Sequence, residues 1–302
     1  MTITERRYFF FAGTLLLLLI FLWQSELLTA ATREALAFSA NVILPSLFPF
    51  LVLSGLLTEA SRGISLPGGK CFRRFFHLPE EGLLAFFLGA LCGFPIGVKV
   101  TVDLYRDGAL TKDEAARLAA LSANTGPGFV IAGIGSTLFG DAEIGALLYA
   151  IQLVSALLLA LIQARRTPPP STPRASLFAM PKFSFSDLLY RASLSLLGIT
   201  GITVFFGILA AFPAHLLPPS IAACLTAILE VGNGAKAASA LSLGFGAPLA
   251  SFAVSFSGIS VLMQSTSLLT PEKIPISPLI ARKLLQGGLS FLLTFAAVNF
   301  IF

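Results

Sequence analysis

Four ionisable side chains stand within apolar segments of the sequence: Lys99, Asp103, Glu230 and Lys236. Placing a charged side chain inside a membrane costs at least ~2.5 kcal/mol, so such a residue usually has an ion-pair partner or a function. Two lysines that face one cavity would suit a small dianion, because each ammonium can form a charge-assisted hydrogen bond with one carboxylate. The alternative is structural. Lys99 then neutralises Asp103, four residues further on, and Lys236 neutralises Glu230.

These charges are exceptional in an apolar chain. Of the 302 residues, 56% are hydrophobic and 12% are charged, whereas soluble domains carry about 25% charged residues. The composition predicts an all-α polytopic membrane protein. The net charge of +5 does not indicate nucleic acid as a partner, because the basic residues fall between apolar segments, where they orient a membrane protein.

Residue types that carry catalysis or hold metals form no motif here. The cysteines (Cys71, Cys92 and Cys224) and the two histidines (His77 and His215) lack metal-ligand or disulfide spacing. No Ser–Lys or paired-Asp motif occupies matched depths. We therefore predict no enzyme activity, no metal and no cofactor, while a coupling ion stays open.

Apolar runs near the ~20 residues that a spanning helix needs recur along the chain. They lie at 8–24, 36–57, 82–104, 110–137, 142–164, 187–212, 218–241, 243–265 and 278–302. Runs 82–104 and 218–241 each carry glycines and a lysine at mid-length. A straight lipid-facing helix would not tolerate that sequence, so we expect both to be re-entrant hairpins that turn at their glycines inside a protein-lined cavity.

The distribution of basic residues favours this hairpin arrangement. With the N-terminus in the cytoplasm and both hairpins returning to their own side, nearly all basic loop residues lie inside, as the positive-inside rule requires. The residues placed inside are Arg62, Lys70, Arg73, Arg74, Arg106, Lys112, Arg117, Arg165, Arg166, Arg174, Lys182, Lys273, Arg282 and Lys283. Arg33 lies outside, as does the C-terminal Phe302.

The same arrangement divides the chain into two inverted repeats, each a span, a hairpin and two more spans. Residues 1–35 form an extra N-terminal transmembrane helix, residues 36–164 the first repeat, residues 165–186 a cytoplasmic linker and residues 187–302 the second repeat. Inverted repeats are common in secondary transporters, where the solute site lies at the repeat interface.

After each hairpin comes a span broken near its middle, around Pro127 in one half and at residues 255–260 in the other. Pro127 removes a backbone donor, and the half-helix that begins at Gly128 points free N–H groups into the interior. Such breaks form solute sites in many transporters; a kink needed only for packing is the alternative. The predicted solute-binding residues are Lys99, Gly97, Pro95, Asn124, Gly126, Gly128, Glu230, Asn233, Lys236, Phe252, Ser255 and Ser257. Phe94 or Phe252 is expected to stack on an aromatic solute.

Three stretches of the first half carry a family resemblance: NVILPSLFPF at 41–50, GFPIGVK at 93–99 and ANTGPGFV at 123–130. They resemble the YlbJ (SpoVV) sporulation integral membrane proteins of the nucleoside-recognition, or Gate, superfamily. The resemblance covers roughly residues 36–302. It implies a multi-pass protein of the bacterial cell membrane that moves dipicolinic acid from the mother cell across the outer forespore membrane. Dipicolinate is a planar dicarboxylate, which agrees with the paired lysines.

The concentrative nucleoside transporters are more distantly similar. Their second-half hairpin carboxylate looks like Glu230, and their solute motif is similar to residues 252–257, with Val254 in place of an asparagine. Where their first hairpin carries Gly-Gln-Thr-Glu, this chain has Gly-Phe-Pro-Ile at 93–96. We therefore expect a carrier of a small organic anion, embedded in the lipid bilayer. A non-transporting assembly or regulatory protein of sporulation, a nucleoside-like carrier and a homo-oligomeric state stay open.

Overall fold

The computed structural model describes residues 3–60, 66–170 and 184–301, and these residues are almost entirely helical. The α-helices are α1 (Ile3–Trp23), α2 (Ser25–Phe38), α3 (Leu44–Ala60), α4 (Gly69–Phe76), α5 (Gly82–Cys92), α6 (Ile96–Arg106), α7 (Lys112–Ser122), α8 (Ala142–Ala164), α9 (Phe185–Leu216), α10 (Pro219–Leu229), α11 (Val231–Ser239), α12 (Leu243–Phe256), α13 (Gly258–Leu269) and α14 (Ser277–Ile301). Two π-helices, Ser39–Ile43 and Gly128–Phe139, complete the described helical elements. The predicted all-α fold is confirmed.

Four helical segments of the described residues are long and apolar enough to cross a membrane: α8, α9, the broken pair α12–α13 and α14. A fifth arises if α1 and α2 together make one bent span. The helices α5 and α10 and the π-helix Gly128–Phe139 are apolar but shorter. Half-length apolar helices of this kind are what a polytopic protein with broken spans and hairpins requires.

The N-terminal region differs from the prediction. We expected a loop between a first span ending at residue 24 and a second beginning at residue 36. Instead, α2 starts at Ser25, is bent by 92° from α1, and continues through the π-helix into α3. The predicted boundary between residues 35 and 36 therefore falls inside a helix. Tertiary packing explains why no loop forms: α2 contacts α9, where Ala35 faces Gly207.

Both predicted hairpin segments turn, but only the first turns at its glycines; the second turns at Glu230, and the glycines predicted to form that turn, Gly232 and Gly234, lie inside α11. The first turn joins α5 to α6 at Gly93–Pro95, and the second joins α10 to α11 at Glu230. In the first hairpin, Gly89 on α5 and Gly97 on α6 lie close together, and a Cβ atom on Gly97 would stand 2.8 Å from the Cα atom of Gly89. The two helices thus run back side by side. Their re-entry into a membrane stays a prediction.

The contacts between the two halves are reciprocal. Helix α6 contacts α13, and its counterpart α11 contacts the π-helix Gly128–Phe139. In the same way α7 contacts α14, and its counterpart α12 contacts α8. A two-fold exchange of the halves would produce this pattern. It supports a structural repeat, whereas the inversion of the repeats across a membrane stays a prediction.

Several predicted features fall on residues outside the described ranges. They are Arg62, Arg174, Lys182, Phe302 and most of the linker predicted at 165–186, of which the structure describes residues 165–170 and 184–186. The second half begins with α9, where the side-chain oxygen of Ser184 accepts a hydrogen bond from the backbone N–H of Asp187 at 3.3 Å. Such an N-cap accounts for the start of this long helix close to the predicted residue 187.

Candidate solute site between the helix breaks

The first break separates α7 from the π-helix Gly128–Phe139. Helix α7 begins with a capping box, in which Thr111 and Glu114 each bind the other's backbone N–H. The helix ends at Ser122, and the unwound segment 123–127 follows. Pro127 stands just before the π-helix, in keeping with its missing N–H group.

A buried polar network holds this unwound segment. The ammonium of Lys283 on α14 donates to the carbonyl oxygen of Ala123 at 2.6 Å and to Oε1 of Gln286 at 2.8 Å. Nε2 of Gln286 donates to Oδ1 of Asn124 at 3.3 Å. From α8, Gln152 donates to the carbonyl oxygen of Thr125 at 2.9 Å and accepts from the N–H of Thr125 at 3.1 Å. The side chains replace the hydrogen bonds that the missing helical turn would have made.

The second break is a sharp turn between α12 and α13. Ser257 and Gly258 adopt left-handed backbone conformations, with φ of 72° and 71°. Glycine is needed at position 258 for two reasons. Its φ is positive, which other residues rarely adopt, and a Cβ atom there would lie 3.1 Å from the Cα atom of Glu230. The second break thus packs directly on the turn of the second hairpin. In the first half, Gly93 packs on Gly126 in the same way.

Glu230 is the turn residue of the second hairpin and caps α11. Its extended backbone (φ −149°, ψ 129°) ends α10, and its two carboxylate oxygens accept the N–H groups of Gly232 at 2.9 Å and Asn233 at 2.7 Å. A carboxylate at this position satisfies two orphan donors and complements the positive end of the helix dipole. The side chain is 4% exposed. A negative group is thereby fixed at the interior end of α11.

A cavity of about 140 Å³ lies where the two hairpin turns and the first break meet. Its polar lining consists of Glu230, Gln264, Thr203 and Thr125, together with the backbone of 126–128. The remaining lining residues are apolar: Phe38, Leu91, Cys92, Gly93, Phe94, Phe129, Ile199, Val231 and Val261. An apolar enclosure with a few converging polar groups is the usual form of a small-molecule site.

Gln264 is the residue that points most clearly to a ligand. It is 4% exposed, it lines the cavity, and within the described residues its Oε1 atom has no hydrogen-bond partner. Buried polar atoms are nearly always paired, so an unpaired amide oxygen in a cavity wall requires an explanation. A solute that donates a hydrogen bond to Gln264 supplies one.

The structure places the predicted site residues in two groups. Gly126, Gly128 and Glu230 line the cavity, as does Phe94, one of the two predicted stacking residues. The following do not line it: Lys99, Gly97, Pro95, Asn124, Asn233, Lys236, Phe252, Ser255 and Ser257. Phe252 instead stacks on Phe256 at 5.4 Å between ring centroids and packs against Gly287 of α14. Asn124 takes part in the network around Lys283.

The expectation that Lys99 and Lys236 face one cavity is wrong. The side chain of Lys236 is 62% exposed on the protein surface, and its ammonium forms an ion pair with Glu34 of α2 at 2.7 Å. Its predicted structural partner, Glu230, is already engaged as the cap of α11 at the opposite end of that helix. Lys99 is half-buried, and within the described residues it makes no ion pair with Asp103, which pairs with Arg106 at 3.7 Å.

Several residues of the site escaped sequence reasoning. Lys283 was counted among surface charges because it stands near the start of an apolar run, yet it is fully buried. Gln152, Gln264 and Gln286 are uncharged, so a search for charges at depth passes over them. An isolated glutamine inside an apolar span is a signal of the same kind, since its amide also needs partners.

Comparison with known proteins gives one similar sequence of known description. The chain is similar to the sporulation integral membrane protein YlbJ of Bacillus subtilis. The two are 24% identical over an alignment that covers 85% of this chain and 74% of the relative. No family model matches the chain, and no solved structure matches it. Together with the apolar helices, the similarity to YlbJ supports a multi-pass membrane protein related to sporulation.

Proposed function

We propose that the protein carries a small planar organic acid across the membrane, and that the cavity between the helix breaks is its solute site. The observation that supports this most is the convergence of both hairpin turns and the first helix break on one cavity with two buried polar side chains, Glu230 and Gln264. Transporters with inverted repeats bind their solutes at such a junction of broken helices.

Dipicolinate, moved from the mother cell towards the forespore, is the first candidate solute. The similarity to YlbJ supplies the sporulation context. The cavity supplies aromatic walls, Phe94 and Phe129, that suit a pyridine ring. The first amides of the π-helix at Gly128 lack intrahelical acceptors and suit a carboxylate. A charged carboxylate at Glu230 would repel the carboxylates of the solute, so we expect the acid to enter with a proton or a cation beside Glu230.

A neutral, nucleoside-like solute is the second candidate. The observation that favours it is the absence of any lysine or arginine from the cavity lining that the structure describes. Glu230 and Gln264 offer hydrogen-bond acceptors, which suit the hydroxyl and amino groups of a nucleoside. The two candidates therefore differ in charge, and a binding measurement separates them.

Cys92 provides a native reporter of the solute, because it lines the cavity and is partly exposed. With Cys71→Ser and Cys224→Ala, Cys92 becomes the single thiol of the chain. We expect dipicolinate to slow the reaction of Cys92 with a small maleimide by about tenfold, the occupancy effect of a ligand at roughly ten times its Kd. Labelling of the purified protein, followed by mass spectrometry, measures the rate.

A variant with Cys71 as its single thiol is the matched control, since Cys71 is exposed on α4 and does not line the cavity. Its labelling rate should not respond to dipicolinate. Protection of Cys92 by uridine but not by dipicolinate would favour the nucleoside-like carrier. Protection by neither solute would count against a solute site and favour a protein that assembles or regulates membrane components without transport.

A further inference from the structure

Lys283 is a buried lysine whose terminal amino group is bound to neutral oxygens. Its side chain is fully buried on α14, and its ammonium donates to the carbonyl oxygen of Ala123 and to Oε1 of Gln286. Within the described residues, no carboxylate lies within ion-pair distance of it. Isolated buried charges are expensive unless they are paired and hydrogen-bonded. The position of the ammonium must therefore compensate for its burial.

The compensation comes from the end of a helix. Ala123 directly follows the last residue of α7, and its own N–H is bonded to the carbonyl of Ala119. The ammonium thus stands at the negative end of the α7 dipole, where carbonyl groups lack intrahelical donors. Arg282, the preceding residue, has a different role: it donates to the carbonyl oxygen of Ala116, about two turns before Ala123.

The ligands of this ammonium resemble those of a small hard cation. Backbone carbonyl oxygens and amide oxygens are typical ligands of such cations, and in transporters with broken helices the C-terminal ends of half-helices coordinate the coupling cation. Here Ala123 supplies a backbone carbonyl oxygen and Gln286 an amide oxygen. The Oδ1 atom of Asn124 accepts from Nε2 of Gln286 and so orients that amide.

We propose that the end of α7 is a monovalent cation site that Lys283 occupies permanently with its own ammonium. The tethered ammonium fixes the unwound segment 123–127, which continues into the cavity wall at Thr125. The first break is consequently held without a free metal ion. If a coupling ion acts in this protein, it binds elsewhere, and the buried carboxylate of Glu230 in the second half is the group of matching charge.

Chemical rescue tests the site without measuring transport. Lys283→Ala removes the ammonium and leaves the carbonyl and amide oxygens. The purified variant should melt about 5 °C or more below the wild-type protein, and sodium or methylammonium ions should restore most of that loss. Choline at equal ionic strength should not restore it, because its trimethylated head cannot enter the space of an ammonium. The wild-type protein should melt at the same temperature in all three salts.

Lys112→Ala is the matched control, since Lys112 is an exposed lysine on the same helix α7. It should neither lower the melting temperature nor respond to the choice of cation. If Lys283→Ala does not fold, Lys283→Ser replaces it, because the short side chain also leaves space for a cation beside the carbonyl of Ala123. A lysine variant as stable as the wild-type protein, or a loss that no small cation restores, would overturn the proposal.

Discussion

Gly97→Ala should disrupt the first hairpin although it adds only one methyl group. A Cβ atom at this position would overlap the carbonyl oxygen of Ser122 and lie 2.8 Å from the Cα atom of Gly89. Both obstacles are backbone atoms on neighbouring helices, so no side-chain rotation can relieve the overlap. Overpacking usually costs ~1–3 kcal/mol. With backbone on two sides we expect ~3 kcal/mol or more, which lowers the melting temperature by roughly 6 °C or more.

Gly234→Ala is the equivalent change in the second half and should have a similar effect. There the added Cβ would overlap the Cα atom of Ala227 on α10 and lie 2.9 Å from its backbone nitrogen. Gly201→Ala on α9 is the control, because nothing lies within 4 Å of its Cβ position. Thermal unfolding of the detergent-purified variants measures the difference. Equal melting temperatures for all three alanine variants would mean that the helices of the hairpins are not packed at these glycines.

Glu230→Ala should impair both the second hairpin and the solute site. It removes the two hydrogen bonds that the carboxylate accepts from Gly232 and Asn233, and hydrogen bonds to a charged group are worth ~1.5–3 kcal/mol each. Part of that gain is offset in the wild-type protein by burial of the charge, so we expect a net loss of about 2 kcal/mol. Uptake of the solute should fall at least tenfold, because Glu230 also lines the cavity.

Glu230→Gln separates these two effects. The amide keeps one acceptor for the end of α11, so the melting temperature should fall by less than in Glu230→Ala. The charge is lost, however, and uptake should lose its dependence on pH or on the co-ion. The preference for an anionic over a neutral solute should change less. A wild-type pH profile in Glu230→Gln would exclude Glu230 as the group that takes up a proton or cation during transport.

The sequence was sufficient to predict the helix breaks, because breaks require specific residue types. Such local signals are proline and glycine near residues 93–97 and 126–128, and glycine around 232–234. Both residue types destabilise the interior of a regular helix. The predicted hairpins and close glycine contacts followed from them. The continuous helix from α2 into α3 could not be predicted from such local signals, because its course depends on packing against α9.

Neither the burial nor the partners of Lys236 and Lys283 followed from the sequence. Pairing Lys236 with Glu230 rested on their separation of six residues, yet Glu34, far away in sequence, is the actual partner. Lys283 stands next to Arg282 in the sequence, but only Lys283 is fully buried, because it lies on the face of α14 that meets α7. Such choices depend on which helices become neighbours, and periodicity within one segment contains no information on that.

Solute uptake by the purified protein in proteoliposomes tests the central claim most directly. Radiolabelled dipicolinate should accumulate in vesicles that contain the wild-type protein and not in empty vesicles. Gln264→Leu should reduce uptake at least tenfold, because it removes the unpaired amide oxygen that would accept a hydrogen bond from the protonated acid. Lys236→Met should leave uptake nearly unchanged, because its surface ion pair contributes little. Equal uptake by the wild-type protein and Gln264→Leu, with loss in Lys236→Met, would contradict the assignment of the cavity as the solute site.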